Sequence, residues 1–268
     1  MEHLFKCWEM VEGQLRDECL FLFFDYDGTL SPIVNAPEQA FLPKENAFLL
    51  QELVKLPGNQ VAIISGRALA DLKSRVAIEG ITYVGNHGFE IEGPKIQFED
   101  FNKRAVEKVL GDIKNTLSQE ISNIKGVIIE DKGWSLSVHY RLVEEKDIGL
   151  FNSLFSKACL PYLTSKEIKV HTGKKIFEIR PPVDWDKGTV VQWLLDKNHA
   201  IVENTVLPVY IGDDQTDEDA FYVLKKDGIT IRVGFVEVSE AKYFLETPNE
   251  VSQFFKRILE LRGVRAEK

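Results

Sequence analysis

The chain has 268 residues, 44% of them hydrophobic, and a formal net charge of −9. This length suits one large domain or two smaller ones, and the hydrophobic content supports a packed core, which excludes a disordered chain. The negative charge disfavours nucleic acid as a partner, because nucleic acid requires a basic surface. Because the overall charge is negative, any site for an anion such as phosphate has to be locally basic.

The cysteines and the apolar runs indicate the cellular setting. Cys7, Cys19 and Cys159 have neither disulfide nor metal-site spacing, which predicts a reducing compartment and therefore a cytoplasmic protein. Residues 1–18 mix acids and bases and lack the apolar core of a signal peptide. No apolar stretch reaches transmembrane length, so we predict no membrane association.

The first chemical signal follows the first predicted strand. Periodicity predicts an amphipathic helix over residues 3–17, and the apolar run 19–24 predicts a strand buried on both faces. Asp25 and Asp27 come directly after it, and Gly28 allows a sharp turn. Carboxylates at the carboxyl end of such a strand lie where open α/β sheets bind their ligands. The alternative is that both aspartates only cap a turn.

The second predicted strand, residues 61–64, is followed by Ser65 and Arg67, and residues 68–76 are predicted to be helical. A hydroxyl at this strand-to-helix boundary, beside free backbone N–H groups, can bind a phosphate oxygen. Ser65 can equally be a helix N-cap, which is a common use of serine. Arg67 adds a permanent cation suited to a phosphate or a sugar hydroxyl.

The third predicted strand, residues 81–84, leads into Gly85-Asn86-His87-Gly88. The two glycines bring the backbone and the side chains of Asn86 and His87 close to whatever occupies the adjacent cleft. A lone histidine in a loop is more often structural than a ligand, and no His or Cys partner accompanies it at zinc-site spacing.

From residue 98 the order of elements changes to helix, two strands, helix, two strands. Apolar residues at every fourth position predict a long helix from Phe101 to Leu117. Two hairpin-connected strand pairs with two helices predict a compact antiparallel α+β unit. We therefore predict a first core segment over residues 1–97, an inserted α+β domain over 98–183 and a second core segment over 184–268.

Two stretches of the inserted domain carry paired charges. Glu130 and Lys132 are predicted on the turn between two strands. Lys174 and Glu178 follow a period of two, so we expect both side chains to project from one face of a strand. Such donors and acceptors suit the hydroxyls of a neutral sugar, whereas the structural alternative is an exposed ion pair on a solvated strand.

The last part of the chain returns to alternating strands and helices. Lys187 falls in the first turn of a predicted helix, where the helix dipole favours acids, and a bound phosphate would account for this position. A predicted strand over residues 206–210 precedes an acidic cluster that contains Asp213, Asp214 and Asp217. Without further context, such a cluster is typical of a solvated turn at a helix N-terminus.

In this order, the motifs resemble those of the haloacid dehalogenase superfamily, most of whose members are Mg²⁺-dependent phosphatases. The run 25–29, Asp-Tyr-Asp-Gly-Thr, resembles the first motif, and Ser65 and Lys187 match the second and third. The run 212–219 resembles the fourth, metal-binding motif. The resemblance implies an α/β fold, with a Rossmann-like core built on a parallel sheet and an inserted α+β cap of the C2 type.

Three further stretches are similar to signatures of the trehalose-6-phosphate phosphatase family within that superfamily. They are Gly85-Asn-His-Gly88, Glu130-x-Lys132-Gly and Gly173-Lys174-x-x-x-Glu178-Ile-x-Pro. The resemblance extends from about residue 20 to residue 261. No motif position departs from the family pattern.

The resemblance implies a role for each of these residues. Asp25 would be the nucleophile, and Asp27 would protonate the leaving oxygen and then activate water. Mg²⁺ would be held by Asp25, the backbone carbonyl of Asp27 and Asp213, while Asp214 and Asp217 would orient waters. Phosphoryl oxygens would be bound by Ser65 and Lys187. The remaining expected substrate contacts are Arg67, Asn86, His87, Glu130, Lys132, Lys174 and Glu178.

The expected activity is hydrolysis of trehalose 6-phosphate to trehalose and phosphate, the final step of trehalose biosynthesis, with a functional link to a trehalose-phosphate synthase. One alternative is a related capped phosphatase that acts on sucrose phosphate or mannosylglycerate phosphate. Another is a non-catalytic sugar-phosphate sensor. Such sensors usually lose the nucleophile or the metal-binding acids, whereas this chain retains Asp25, Asp27, Lys187 and Asp213.

Overall fold

The structure is a computed structural model that describes residues 1–34, 37–94, 96–99, 103–183, 185–199 and 206–263. Spatial contacts divide the chain into two compact units. Unit 1 comprises Met1–Phe98 and Trp185–Lys268, and unit 2 comprises Glu99–Asp184. In the part of the chain that the structure describes, no helix has the length and apolar character required to span a membrane.

The strands and helices are numbered in chain order. The strands are β1 (Glu2–His3), β2 (Cys19–Asp25), β3 (Gln60–Ile64), β4 (Thr82–Gly85), β5 (Glu90–Gly93), β6 (Ile96–Glu99), β7 (Ile128–Asp131), β8 (Leu136–His139), β9 (Lys169–Gly173), β10 (Ile176–Arg180), β11 (Val206–Gly212), β12 (Ile229–Val233) and β13 (Tyr243–Leu245). The helices are α1 (Trp8–Asp17), α2 (Lys44–Lys55), α3 (Leu69–Val76), α4 (Lys103–Glu120), α5 (Glu145–Thr164), α6 (Lys187–His199), α7 (Asp217–Leu224) and α8 (Pro248–Leu261).

Unit 1 is built on a sheet whose strand order is β1-β13-β12-β11-β2-β3-β4-β5-β6. The pairs from β1 through β4 are parallel, and β5 runs antiparallel to β4. The central strand β2 is buried on both faces, as its apolar sequence predicts. Leu20, Leu22 and Phe24 pack into one hydrophobic cluster, while Phe21 and Phe23 pack into the other. Asp25, the last residue of β2, therefore lies where the two hydrophobic clusters end.

Unit 2 contains a four-stranded antiparallel sheet in the order β7-β8-β10-β9, together with α4 and α5. Leu136, Val138 and Ile179 share a hydrophobic cluster with helix residues such as Phe151. Alternate residues on the strands belong to the opposite face, which is largely polar. The predicted fold class, a parallel α/β core with a separate antiparallel α+β unit, is confirmed.

The structure corrects several predicted elements. The helix expected over residues 3–17 begins only at Trp8, because Glu2–His3 forms a short strand that pairs in parallel with Tyr243–Phe244 and Leu4–Lys6 forms a separate 3₁₀ helix. Strands β5, β6 and β13 were not predicted. The long helix of unit 2 is described from Lys103, so its predicted residue Phe101 lies outside the described residues, as does Asp184 at the second predicted domain boundary.

Candidate active site

The centre of the site is a buried ion-pair cluster at the carboxyl ends of β2 and β11. Lys187 Nζ donates to Oδ1 of Asp25 at 2.7 Å and to Oδ1 of Asp217 at 2.7 Å. Asp25 is the last residue of β2, and Lys187 is the first residue of α6. The lysine is therefore held beside Asp25, the residue predicted to be the nucleophile.

Burial makes the charges of this cluster strongly interdependent. Burial alone would lower the pKa of Lys187, but the carboxylates of Asp217 and Asp25 raise it well above its usual value, so the ammonium stays charged. Burial raises the pKa of Asp25 well above its usual value; Lys187 opposes this shift, and the charges of Asp217 and Asp213 add to it. The cluster therefore contains more carboxylates than cations and favours an additional positive charge.

Asp217 connects the helix that carries Lys187 to the loop after β11. Its Oδ1 accepts hydrogen bonds from Lys187 and from the Tyr210 hydroxyl at 2.7 Å each, and its Oδ2 accepts from the backbone N–H groups of Asp213 and Asp214 at 2.9 Å each. A Cβ on Gly212 would lie 2.2 Å from the Asp217 carboxyl carbon, so glycine is required there. With four protein donors, Asp217 anchors the loop, and this geometry does not favour the predicted role in orienting waters.

Asp213 has the features of a cation ligand. One oxygen each of Asp25, Asp213 and Asp217 lie within 4.8 Å of one another, and Oδ1 of Asp213 is buried and accepts no hydrogen bond from the described residues. Burial, followed by the charges of Asp217 and Asp214, raises the pKa of Asp213 to about 7. An unpaired buried carboxylate oxygen beside the Asp25 carboxylate is a donor set that fits Mg²⁺.

Gly28 allows the loop after β2 to approach this carboxylate. Gly28 has a φ of +87°, and a Cβ there would lie 2.1 Å from Oδ2 of Asp213. The backbone of the first motif and the side chain of the fourth are therefore in direct contact. This close approach is consistent with a cation held jointly by both motifs.

A network that sequence reasoning missed holds the loop containing Asp213 and Asp214. The guanidinium of Arg232, on β12, donates to the backbone carbonyls of Asp213 and Asp214 and pairs with Glu218 at 2.8 Å. Glu218 also accepts from the backbone N–H of Glu240. The pattern Ile-Arg-Val places a charge within a buried strand, and this was the available signal.

Asp27, the predicted acid and base, is held in place by the guanidinium of Arg67. Arg67 Nε and Nη2 donate to the two oxygens of Asp27 at 2.7 Å each, and Nη1 donates to Asp71 at 2.9 Å. The guanidinium also lies over the Tyr26 ring, 5.5 Å from its centroid. The structure thus places Arg67 on Asp27, which indicates a positioning role besides the predicted substrate contact.

The second motif and the Gly-Asn-His-Gly loop are linked through their backbones. Ser65 is buried, its Oγ accepts from the Arg67 backbone N–H at 3.1 Å, and its carbonyl accepts from the His87 N–H at 3.0 Å. Asn86 is also buried and donates to Glu90 at 2.6 Å. Glu90, which the sequence analysis did not select, also accepts from the N–H of the first residue of α3. The loop is therefore tied to Ser65 and to α3.

The four predicted sugar contacts lie in unit 2, and three of them lie on or beside its sheet. Glu130 and Glu178 occupy equivalent positions on either side of β8, and Lys132 Nζ lies 3.9 Å from Glu178. Arg180 also pairs with Glu178, and His139 pairs with Glu130 at 3.2 Å. Together these side chains form a charged face on the sheet.

The predicted placement of Lys174 was wrong. Gly173 pairs with Ile176 across a two-residue turn, so Lys174 lies in the turn between β9 and β10 rather than on a strand. Strand alternation therefore does not put Lys174 on the face that carries Glu178. The turn depends on Lys175 at a φ of +65°, a conformation that a lysine does not signal from sequence.

The fold of this chain is similar to those of two solved proteins. A haloacid dehalogenase-like hydrolase from Bacteroides thetaiotaomicron has a similar fold, with a TM-score of 0.62 and 17% identity over 89% of this chain and 99% of that chain. The C-terminal domain of the trehalose-6-phosphate phosphatase of C. albicans is similar at a TM-score of 0.76, with 23% identity over 95% of this chain and 96% of that chain.

Sequence comparison identifies the family. The sequence profile named Trehalose-phosphatase matches residues 23–249. A relative described as probable trehalose-phosphate phosphatase 3, from Oryza sativa subsp. japonica, is 33% identical over 274 aligned residues, which cover 95% of this chain and 73% of the relative. The chain belongs to the trehalose-phosphatase family, and the resemblance inferred from its motifs is confirmed.

Proposed function

We propose that this protein hydrolyses trehalose 6-phosphate to trehalose and phosphate, the final step of trehalose biosynthesis. The observation that carries the proposal is the buried contact of Lys187 with Asp25 beside the Asp213 carboxylate. This arrangement supplies a nucleophile, a fixed cation and a metal-ligand pair at the carboxyl ends of two neighbouring strands. Membership of the family supports the sugar phosphate as substrate.

The chemistry follows from the positions of these side chains. A carboxylate oxygen of Asp25 attacks phosphorus, the bond from phosphorus to the sugar oxygen breaks, and Asp27 donates a proton to that oxygen. Asp27 then removes a proton from water, which attacks the aspartyl-phosphate and releases phosphate and the Asp25 carboxylate. Ser65 and Lys187 bind the phosphoryl oxygens, and Arg67 holds Asp27 in place for both proton transfers.

Mg²⁺ would be held by Asp25, by the backbone carbonyl of Asp27 and by Asp213. When bound, it would neutralise the repulsion between the phosphoryl group and the anionic nucleophile. The buried, unpaired Oδ1 of Asp213 supports this assignment. Asp217 is less suited as a ligand, because its oxygens already accept four hydrogen bonds from the protein.

Unit 2 would act as the cap domain and recognise the sugar. Glu130, Lys132 and Glu178, which lie on or beside its sheet, are the proposed contacts with sugar hydroxyls, and Asn86 and His87 are the proposed contacts from unit 1. Lys174, at the turn, is proposed as a further contact. Action in the cytoplasm and a link to a trehalose-phosphate synthase also stay proposals, the first supported by three cysteines that form no disulfide.

Phosphate release from a panel of sugar phosphates tests the proposal. The panel contains trehalose 6-phosphate, sucrose phosphate, mannosylglycerate phosphate and glucose 6-phosphate, each with Mg²⁺ or with a chelator, and Asp25→Asn serves as the inactive control. We expect a strong preference for trehalose 6-phosphate that depends on Mg²⁺ and on Asp25. Preference for another disaccharide phosphate would favour a related capped phosphatase. Absence of phosphate release from every substrate by folded protein would favour the sensor alternative.

A further inference from the structure

We propose that Tyr210 is a positioning residue for catalysis, which acts through Asp217 to fix the ammonium of Lys187 against the phosphoryl group. The inference rests on the proposed phosphatase function. Neither the motifs nor the family resemblance selected this tyrosine. Its evidence is a hydrogen-bond chain within unit 1: the Tyr210 hydroxyl to Asp217 at 2.7 Å, Asp217 to Lys187 at 2.7 Å, and Lys187 to Asp25 at 2.7 Å.

The hydroxyl of Tyr210 lies in an apolar environment. Tyr210 is fully buried in β11, which is otherwise an apolar strand. A hydroxyl in such a layer is unfavourable unless it makes a hydrogen bond, so a phenylalanine would suit packing alone. The hydroxyl has its partner at Asp217, a residue of the catalytic cluster. Burial and the neighbouring charge of Asp217 raise the pKa of Tyr210 well above its usual value, so the group remains a proton donor.

The ring of Tyr210 is held by aromatic neighbours on two sides. Tyr210 pairs in register with Phe23, two residues before Asp25, and the two rings stack with their centroids 6.4 Å apart. On another side Phe221, from α7, meets the ring edge-to-face at 5.6 Å. Because the ring is held between β2 and α7, its hydroxyl is fixed relative to the strand that carries the nucleophile.

Asp25 and Asp217 compete for the ammonium of Lys187. Lys187 contacts Asp25 and Asp217 at equal distances, and Tyr210 donates to the same Asp217 oxygen that accepts from the lysine. This second donor reduces the negative charge that Asp217 presents to Lys187. Without the Tyr210 hydroxyl, Asp217 would hold the ammonium of Lys187 more strongly. The ammonium would then be drawn away from Asp25 and from a bound phosphoryl group.

The variant Tyr210→Phe tests this role by removing a single oxygen atom. Tyr83→Phe is the matched control, because Tyr83 is a buried tyrosine of the same sheet whose hydroxyl exchanges its hydrogen bonds with the backbone of Ile78. We expect Tyr210→Phe to lower kcat/KM on the order of tenfold. The loss should be equal for trehalose 6-phosphate and p-nitrophenyl phosphate, because the two substrates share only the phosphoryl group. Tyr83→Phe should stay within about twofold of the wild type.

Two further readouts separate positioning from a merely structural effect. Calorimetric affinity for inorganic phosphate, which needs no turnover, should weaken about three- to tenfold in Tyr210→Phe and stay unchanged in Tyr83→Phe. In an Asp217→Asn background, Tyr210→Phe should have little further effect on either quantity, because its route to Lys187 is already lost.

Folded Tyr210→Phe enzyme with wild-type kcat/KM and phosphate affinity would overturn the inference, as would fully multiplicative effects in the double variant. Wild-type protein that releases no phosphate but shows the predicted difference in phosphate affinity would contradict the proposed function alone.

Discussion

The ammonium of Lys187 lies 2.7 Å from Oδ1 of Asp25, although 162 positions separate the two residues in the chain. The contact joins the end of β2 to the start of α6 and is almost completely shielded from solvent. A cation fixed in this way requires no reorganisation when a phosphoryl group arrives, which is the condition for electrostatic stabilisation of its transfer.

Replacement of Lys187 by methionine should affect both activity and stability. The change removes the cation and leaves Asp25 and Asp217 buried without it, so we expect kcat to fall at least about a hundredfold. The free energy of unfolding should fall by about 3 kcal/mol, because one partner of a buried ion pair is lost. Phosphate release and urea unfolding measure the two effects. Retention of near-wild-type kcat would show that the cation has no part in phosphoryl transfer.

Substitution of Gly28 by alanine should disrupt the contact between the first and fourth motifs. The new Cβ would overlap Oδ2 of Asp213. Gly234→Ala is the matched control, because Gly234 has a similar φ of +83° with no heavy atom within 4 Å of the added Cβ. Both variants should lose about 1 kcal/mol of stability from the left-handed backbone.

Only Gly28→Ala should require more Mg²⁺ for half-maximal activity, since only that clash displaces Asp213. Metal titrations of the two variants beside the wild type provide the comparison. Equal metal requirements in both variants would be inconsistent with a metal ligand at Asp213.

The variant Arg67→Lys should lower kcat about tenfold, because a lysine cannot hold both oxygens of Asp27. Arg75→Lys is the control, since Arg75 pairs with Asp71 and, within the described residues, makes no hydrogen bond or ion pair with Asp27. That variant should keep kcat within about twofold. Steady-state kinetics with trehalose 6-phosphate distinguish the two roles of Arg67. A rise in KM with kcat unchanged would support a substrate contact and contradict the positioning role.

Cys159 should be unreactive in the folded protein. Its side chain lies in the core of unit 2, and burial raises the pKa of its thiol to about 12. Alkylation at neutral pH followed by peptide mass spectrometry should find Cys7 and Cys19 modified long before Cys159, because those two are partly exposed. Labelling of Cys159 should require denaturant and would then report unfolding of unit 2. Rapid native labelling of Cys159 would contradict the packing described for this unit.

The sequence predicted much of the site, because the first, second and fourth motifs directly follow buried strands. Asp25, Ser65 and Asp213 follow such runs, and parallel strands bring their carboxyl ends to one edge of the sheet. The pattern could not show what each side chain contacts. The bidentate contact of Arg67 with Asp27 joins residues 40 positions apart and leaves no periodic trace.

The residues that the sequence analysis missed had only a weak signal, a polar side chain within an apolar strand. Tyr210 and Arg232 are polar groups within strands that otherwise read as apolar, and a buried polar group needs a partner. The strand at Glu2–His3 was missed because its partner lies at the other end of the chain and two residues show no alternation. Lys174 was misplaced because alternation was extended through a turn.

Trapping of the covalent intermediate tests the central claim, that Asp25 is the nucleophile, most directly. Asp27→Asn protein is mixed with Mg²⁺ and p-nitrophenyl phosphate, whose leaving group needs no proton, so that the second step is slowed and the intermediate accumulates. Acid quenching, borohydride reduction and peptide mass spectrometry then locate the acyl phosphate. We predict reduction of the side chain at position 25, dependent on substrate and absent in Asp25→Asn. Release of p-nitrophenol with an unmodified position 25, or with the modification at another carboxylate, would contradict the account.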